Sequence, residues 1–176
     1  MDDFFDGSGG GYETGYYDTA LICMNGYMVN GSAKEMPQFN TKHCKKCGKP
    51  TISQCPHCQK DIQGHYISPG VIGIDTVSVP SYCHECGAAY PWTDAKLEAA
   101  KEMADEAEHL SKEEKEELKA TFDDLVRDTP KTPVAASRYK RLTAKAGSMI
   151  SDTLQKILIE VMVSNAKDLI FATHVK

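Results

Sequence analysis

The chain has 176 residues, of which 41% are hydrophobic and 26% are charged, values that are normal for a soluble globular protein. Its formal net charge of −5 is too acidic for a protein that coats nucleic acid in general. No run of eighteen apolar residues occurs, which excludes a transmembrane helix, and the acidic N-terminus lacks the basic start and apolar core of a signal peptide. We therefore expect a cytoplasmic protein of one or two domains.

Residues 1–17 combine a glycine run with aromatic and acidic residues, and they show no apolar period. This composition predicts a mobile tail, although its aromatic residues could instead form a short docking motif. Changes in composition then divide the rest of the chain into two segments, residues 18–92 and residues 93–176.

Residues 18–92 contain all seven cysteines of the chain together with short β-prone stretches. The predicted strands are Thr19–Cys23, Tyr27–Asn30 and Val71–Val79. Three Cys-x-x-Cys pairs and an odd cysteine count argue against disulfides and favour reduced thiolates that bind Zn²⁺. A redox dithiol is the main alternative, but none of the pairs opens a helix next to a βαβ pattern.

The grouping of the cysteine turns, or knuckles, decides the architecture of this segment. A structural zinc ion takes four ligands, and each Cys-x-x-Cys knuckle supplies two. A glycine follows Cys47 and Cys86 but not Cys58, which marks 44–47 and 83–86 as equivalent closing knuckles. The spacing thus predicts one site from Cys23, Cys44 and Cys47 and a second from Cys55, Cys58, Cys83 and Cys86. The alternative joins 44–47 and 55–58 in one site and leaves the last pair dependent on Cys23 and a distant histidine.

The first of these sites has no evident fourth ligand in the sequence. Tyr27 stands where a Cys-x-x-x-His knuckle would have its imidazole, and tyrosine is a poor zinc ligand. The nearest candidates are His43 and His65, each of which could equally be an ordinary loop histidine. We expect two zinc ions, or one if the first site binds no metal.

The stretches LICMNGYMVN, HCKKCGKPTISQCPHC, GHYISPG and SYCHECGAAYPW resemble a family of short bacterial double zinc-ribbon proteins, a domain of unknown function. The resemblance runs from about Asp18 to the C-terminus, and the cysteine spacings are its most specific part. It implies a metal-ribbon fold and no established activity. In that family the opening knuckle carries a histidine where this chain has Tyr27, which puts the metal of the first site in question.

Residues 93–176 contain no cysteine and only one glycine, Gly147. Thr93 or Asp94 can cap a first helix, which reaches about His109. Ser111 and Glu114 form a capping box, which predicts a second helix that reaches about Arg127.

Thr132 as N-cap and Pro133 at the first position predict a third helix, which Gly147 and Ser148 interrupt. The last segment has apolar residues at helical spacing from Ile150 to Ile170, although the stretch ILIEVMV is β-prone and leaves a strand as the alternative. The predicted fold class is therefore α+β, a double zinc ribbon followed by a domain of about four helices whose apolar faces pack on each other.

No catalytic constellation accompanies the predicted metal sites. Four thiolates leave no open position for water or substrate, and the sequence has no phosphate-binding glycine loop or nucleophile elbow. We predict a non-catalytic adaptor, in which the ribbon knuckles and the apolar helical face bind a protein partner or a second copy. Trp92, with Tyr90 and Tyr82, could anchor such a contact, or it could close the core where the ribbon meets the helices.

Two basic stretches make nucleic-acid binding the alternative function. Lys45 and Lys46 lie in the closing knuckle of the first site, and Arg138, Arg141 and Lys145 share one helix face. That face could instead lie against residues 94–128, which hold thirteen acids and six bases, and we favour this internal pairing.

Overall fold

The structure is a computed structural model and describes residues 14–70 and 77–171. A strand-rich part comes first and contains β1 (Tyr16–Thr19), β2 (Leu21–Cys23), β3 (Met28–Asn30), a 3₁₀ turn (Pro37–Phe39), β4 (Thr51–Ile52) and β5 (Gln63–Ile67). Five helices follow in the described residues: α1 (Pro91–Asp105), α2 (Lys112–Val126), α3 (Thr132–Ala146), α4 (Ser148–Leu158) and α5 (Ser164–Phe171). The order of elements confirms the predicted α+β class.

Two small antiparallel sheets organise the strand-rich part. One pairs β1 with β5, and the other has the order β3-β2-β4. In the second sheet Ile22 faces Ile52 and Cys23 faces Thr51. Since β4 leads directly out of the 44–47 knuckle, this register carries Cys23 to that knuckle.

The strand predictions hold in part. Strands β2 and β3 lie within the predicted stretches Thr19–Cys23 and Tyr27–Asn30. Strand β1 begins at Tyr16, inside the segment predicted to be a tail, and the Tyr17 ring packs edge-on against Tyr66. The rest of that tail, residues 1–13, and most of the predicted strand Val71–Val79 lie outside the described residues, while residues 77–79 form no strand.

The first two helices show how local chemistry fixes their starts. Ser111 accepts a hydrogen bond from the Glu114 amide and donates its own amide to the Glu114 carboxylate, which confirms the predicted capping box. Helix α1, however, begins at Pro91 rather than after Thr93 or Asp94 and ends at Asp105 rather than near His109. The Thr93 hydroxyl is not a cap because it donates to the Ser81 carbonyl at 2.8 Å.

The start of α3 also differs from the prediction. Lys131 is the N-cap residue, and Thr132 is already helical. The Thr132 hydroxyl is fully buried and within hydrogen-bond distance of the Asp124 and Arg127 carbonyls at 3.0 and 2.9 Å. It therefore ties the end of α2 to α3 instead of capping its own helix.

The last segment forms two helices, so the described residues contain five rather than the predicted four. Gly147, with φ +99°, ends α3 as predicted. Helix α4 stops at Leu158 in a run where β-branched residues alternate at 157, 159, 161 and 163, which lowers helix propensity. No strand forms there. Instead the Val163 amide donates to the Leu125 carbonyl at 3.1 Å, and Val161 and Met162 enter the core.

The apolar faces of the helices are largely used inside the protein. One buried cluster contains residues from all five helices, among them Leu118, Phe122, Leu142, Leu154 and Leu158. Among the described residues, no helix has the length and apolar character needed to cross a membrane.

Candidate metal centres

Three Cys-x-x-Cys knuckles share one backbone conformation. In each, the first cysteine donates its amide to the carbonyl five residues later, at 2.8–2.9 Å, and accepts a hydrogen bond from the amide four residues later. The three first cysteines are Cys44, Cys55 and Cys83, all buried. These backbone hydrogen bonds fix the turn, so that the two cysteine side chains of each knuckle point toward the same position.

The residue after each knuckle lies in the left-handed region. Gly48 and Gly87 both have φ +71°, and Gln59 has φ +61°. A left-handed conformation costs a residue with a side chain about 1–2 kcal/mol. The 55–58 knuckle therefore has the same backbone conformation as the other two, but without a glycine this conformation costs more free energy.

The second cluster contains four sulfur atoms. The Sγ atoms of Cys55, Cys58, Cys83 and Cys86 all lie within 4.8 Å of one another. The Cys55–Cys86 and Cys58–Cys83 sulfur distances are 3.8 and 3.7 Å. The structure thus groups these cysteines as the spacing predicted, and four sulfurs at these separations could hold one metal ion.

Backbone amides and burial shift the pKa values of the thiols in this cluster in opposite directions. Burial raises the pKa of Cys83, but hydrogen bonds from the Cys86 and Glu85 amides outweigh it and lower the pKa to about 6. At Cys58 a hydrogen bond from the Lys60 amide lowers the pKa, yet burial and the neighbouring sulfurs raise it to about 12. Four thiolates therefore form together only if a cation offsets their repulsion.

The first cluster contains three sulfur atoms, those of Cys23, Cys44 and Cys47, again within 4.8 Å of one another. The Cys23 and Cys47 sulfurs are 3.3 Å apart. Burial raises the pKa of Cys23. It also opposes ionisation of Cys44, but the amides of Lys46 and Cys47 lower the pKa of that thiol.

Neither predicted histidine joins this cluster. His43 is exposed, and its backbone forms an isolated antiparallel β-bridge with Pro50. His65 lies on β5 against Gly31, where an added Cβ would be 2.6 Å from its Nε2. Within residues 14–70 and 77–171, no histidine or carboxylate belongs to the group formed by the three sulfurs.

The turn that carries Cys23 is one residue shorter than the three knuckles. The Cys23 amide donates to the Tyr27 carbonyl, four residues later, and the Gly26 amide donates back at 2.7 Å. The left-handed residue is Gly26, with φ +81°, and it follows Asn25, where a knuckle would have its second cysteine. The turn therefore supplies one sulfur. The sequence already shows the missing ligand, because only two residues separate Cys23 from Gly26, whereas three separate the first cysteine from the glycine in 44–48 and 83–87.

A groove of about 420 Å³ borders the first cluster. The residues that line it include Tyr27, Met28, Phe39, Cys44, Lys45 and Lys46. Both lysines are exposed, and the Lys46 ammonium lies 4.9 Å from the centre of the Tyr27 ring. The groove therefore adjoins the cluster at Cys44, which is itself 5% exposed.

Trp92 is a core residue rather than an exposed anchor. It is 1% exposed, stacks on Tyr90 with ring centres 4.6 Å apart, and donates its indole N–H to the Pro80 carbonyl at 2.8 Å. It shares a buried cluster with Cys55 and Cys83. A Cβ on Gly26 would lie 3.0 Å from the Trp92 Cβ, so the start of α1 packs against parts of both metal centres.

Three of the four cations of α3 lie against carboxylates of α2. The Arg141 guanidinium lies 2.7 Å from the Glu117 carboxylate, and Arg138 lies 3.8 Å from the same oxygen. The Lys145 ammonium lies 2.7 Å from Glu114. This is the internal pairing that we favoured from the sequence. The lysines in and beside the 44–47 knuckle, among them Lys45 and Lys46, are exposed.

Two cysteine clusters that could hold metal ions, on short antiparallel hairpins followed by five helices, are compatible with a zinc-ribbon protein. The comparison with family models matches residues 16–170 to the family described as "uncharacterized protein conserved in bacteria (DUF2321)", and the chain belongs to that family. Comparisons with curated proteins and with solved structures found no match.

Proposed function

We propose that this protein is a cytoplasmic, non-catalytic zinc-binding adaptor that binds a protein partner through its first ribbon. Zinc is the metal that the donor sets favour, since thiolates in tetrahedral groups of four suit Zn²⁺ and the chain offers seven sulfurs in two clusters.

The second centre has a structural role in this proposal. Its four sulfurs join residues 55–58 to residues 83–86 and leave no position for a substrate. Zinc bound there contributes directly to folding, because the strand-rich part has few large apolar residues beyond Ile22, Ile62 and the Tyr90–Trp92 pair.

Exposed apolar side chains beside the first centre are the observation that carries the partner proposal. Tyr27 is 38% exposed, Met36 48% and Phe39 59%, and two of the three line the groove next to Cys44. Aromatic residues and methionine are enriched where proteins bind one another. The apolar faces of the helices are mostly buried within the bundle, apart from side chains such as Met149 on α4, and we therefore place the partner surface on the ribbon.

The ion pairs of α3 weigh against nucleic acid as the partner. Arg138, Arg141 and Lys145 already face carboxylates of α2, and a phosphate backbone would have to displace them. The exposed lysines of the first ribbon, Lys42, Lys45, Lys46 and Lys49, form a small basic patch, which suits an acidic rim on a protein partner.

Site-specific photo-crosslinking tests the proposal in bacterial cells. A photoreactive amino acid replaces Phe39 in one variant and Val134, which is 51% exposed on α3, in a matched control. We expect a discrete protein adduct from position 39 that is absent from position 134 and is lost when Met36→Ala and Tyr27→Ala are added. An adduct with nucleic acid, or equal adducts from both positions, would contradict the proposal.

A further inference from the structure

We propose that the first centre is completed from outside the chain: Cys23, Cys44 and Cys47 bind the metal ion, and an external thiolate that enters through the groove supplies the fourth ligand. This inference rests on the proposed zinc binding and gives the partner surface a specific chemistry.

The cysteine count leaves no fourth thiolate for this centre within the chain. Four of the seven cysteines form the second cluster and three form the first. The short turn at Cys23 explains the deficit, because Asn25 occupies the place before the left-handed residue that the second cysteine holds in the other three knuckles. The Asn25 amide donates to the Cys23 sulfur at 3.2 Å, so this turn supports one thiolate as the knuckles do.

The groove has the chemistry of a site for an anionic sulfur ligand. A divalent ion with three thiolates carries one net negative charge, and a fourth thiolate adds another. Lys45 and Lys46 on the groove wall offset this charge. Met28 and Phe39 supply an apolar wall for the carbon atoms of the ligand. A thiol that binds there releases its proton to solvent, and no bond within the chain changes.

Cobalt substitution tests the inference because sulfur-to-cobalt charge-transfer absorbance increases with the number of bound thiolates. We expect the protein loaded with two Co²⁺ to gain about one-seventh of this absorbance when 2-mercaptoethanol is added, since eight sulfurs then replace seven. The second centre is an internal control, because its four sulfurs leave no position to fill. His174→Ala is included in every variant, so that this histidine, which lies outside the described residues, cannot serve as a ligand.

Insertion of one cysteine between Asn25 and Gly26 is the matched control. It converts the turn to the Cys-x-x-Cys-Gly pattern of residues 44–48 and 83–87. We expect this variant to bind two Co²⁺ with full absorbance at once and to show no response to 2-mercaptoethanol. An unresponsive His174→Ala protein would overturn the inference, and so would an insertion variant that responds as strongly as the protein without the insertion.

The source of the thiolate is read from two further titrations. A short acidic peptide with one cysteine and its serine counterpart are compared with 2-mercaptoethanol. Tighter binding of the cysteine peptide identifies a protein side chain as the ligand, and equal binding identifies a small thiol. If neither binds while the protein still holds two metal ions, the external ligand fails and the proposed zinc binding stands.

Discussion

Replacement of Trp92 by alanine should remove most of the stability of the protein. Trp92 is 1% exposed, and truncation of a buried tryptophan typically lowers the free energy of unfolding by about 3–5 kcal/mol. The Pro80 carbonyl also loses its hydrogen bond, which adds about 1 kcal/mol. The expected total of about 4–6 kcal/mol is comparable with the whole stability of many domains.

Urea unfolding followed by circular dichroism measures this loss. Fluorescence is unsuitable because Trp92 is the only tryptophan of the chain. Val134→Ala, at a residue 51% exposed on α3, should change the free energy of unfolding by less than about 0.5 kcal/mol. Trp92→Phe keeps an aromatic ring in the core and should lose about 1–2 kcal/mol. A loss below about 1 kcal/mol for Trp92→Ala would refute the assignment of Trp92 to the core.

Three further substitutions test backbone and core features by the same urea assay. Gln59→Gly should raise the free energy of unfolding by about 0.5–1 kcal/mol because it relieves a left-handed conformation; a decrease would contradict this. Gly26→Ala should cost more than Gly48→Ala, since only the first places a Cβ against Trp92; equal losses would contradict the close approach. Tyr139→Phe should stabilise by about 1 kcal/mol because the buried hydroxyl has no partner among the described residues; a loss would show that it is hydrogen-bonded.

The sequence predicted the grouping of the sulfurs because metal ligation restricts cysteine spacing strongly. Each knuckle needs a fixed number of residues between its two ligands, so the sequence alone assigns Cys55 and Cys83 to one cluster. The α2 start at Ser111 was equally local, since a capping box depends on residues three apart.

The features that sequence reasoning missed depend on contacts between distant residues. Thr93 and Thr132 have the side chains of N-caps, but tertiary carbonyls engage their hydroxyls instead. The β-branched run after Leu158 weakens the helix locally, but the hydrogen bond from the Val163 amide to the Leu125 carbonyl at the end of α2 is a tertiary contact that no local period encodes. His65 was near Cys44 and Cys47 in sequence, but β5 places it against Gly31 and away from the sulfurs.

Our proposal that both clusters hold zinc is tested most directly by native mass spectrometry of the purified protein beside the acid-denatured protein. We predict a mass difference of two zinc ions for the native protein and of one for Cys47→Ser, in which the three-sulfur centre loses a ligand. A native protein with one zinc ion or none would contradict it.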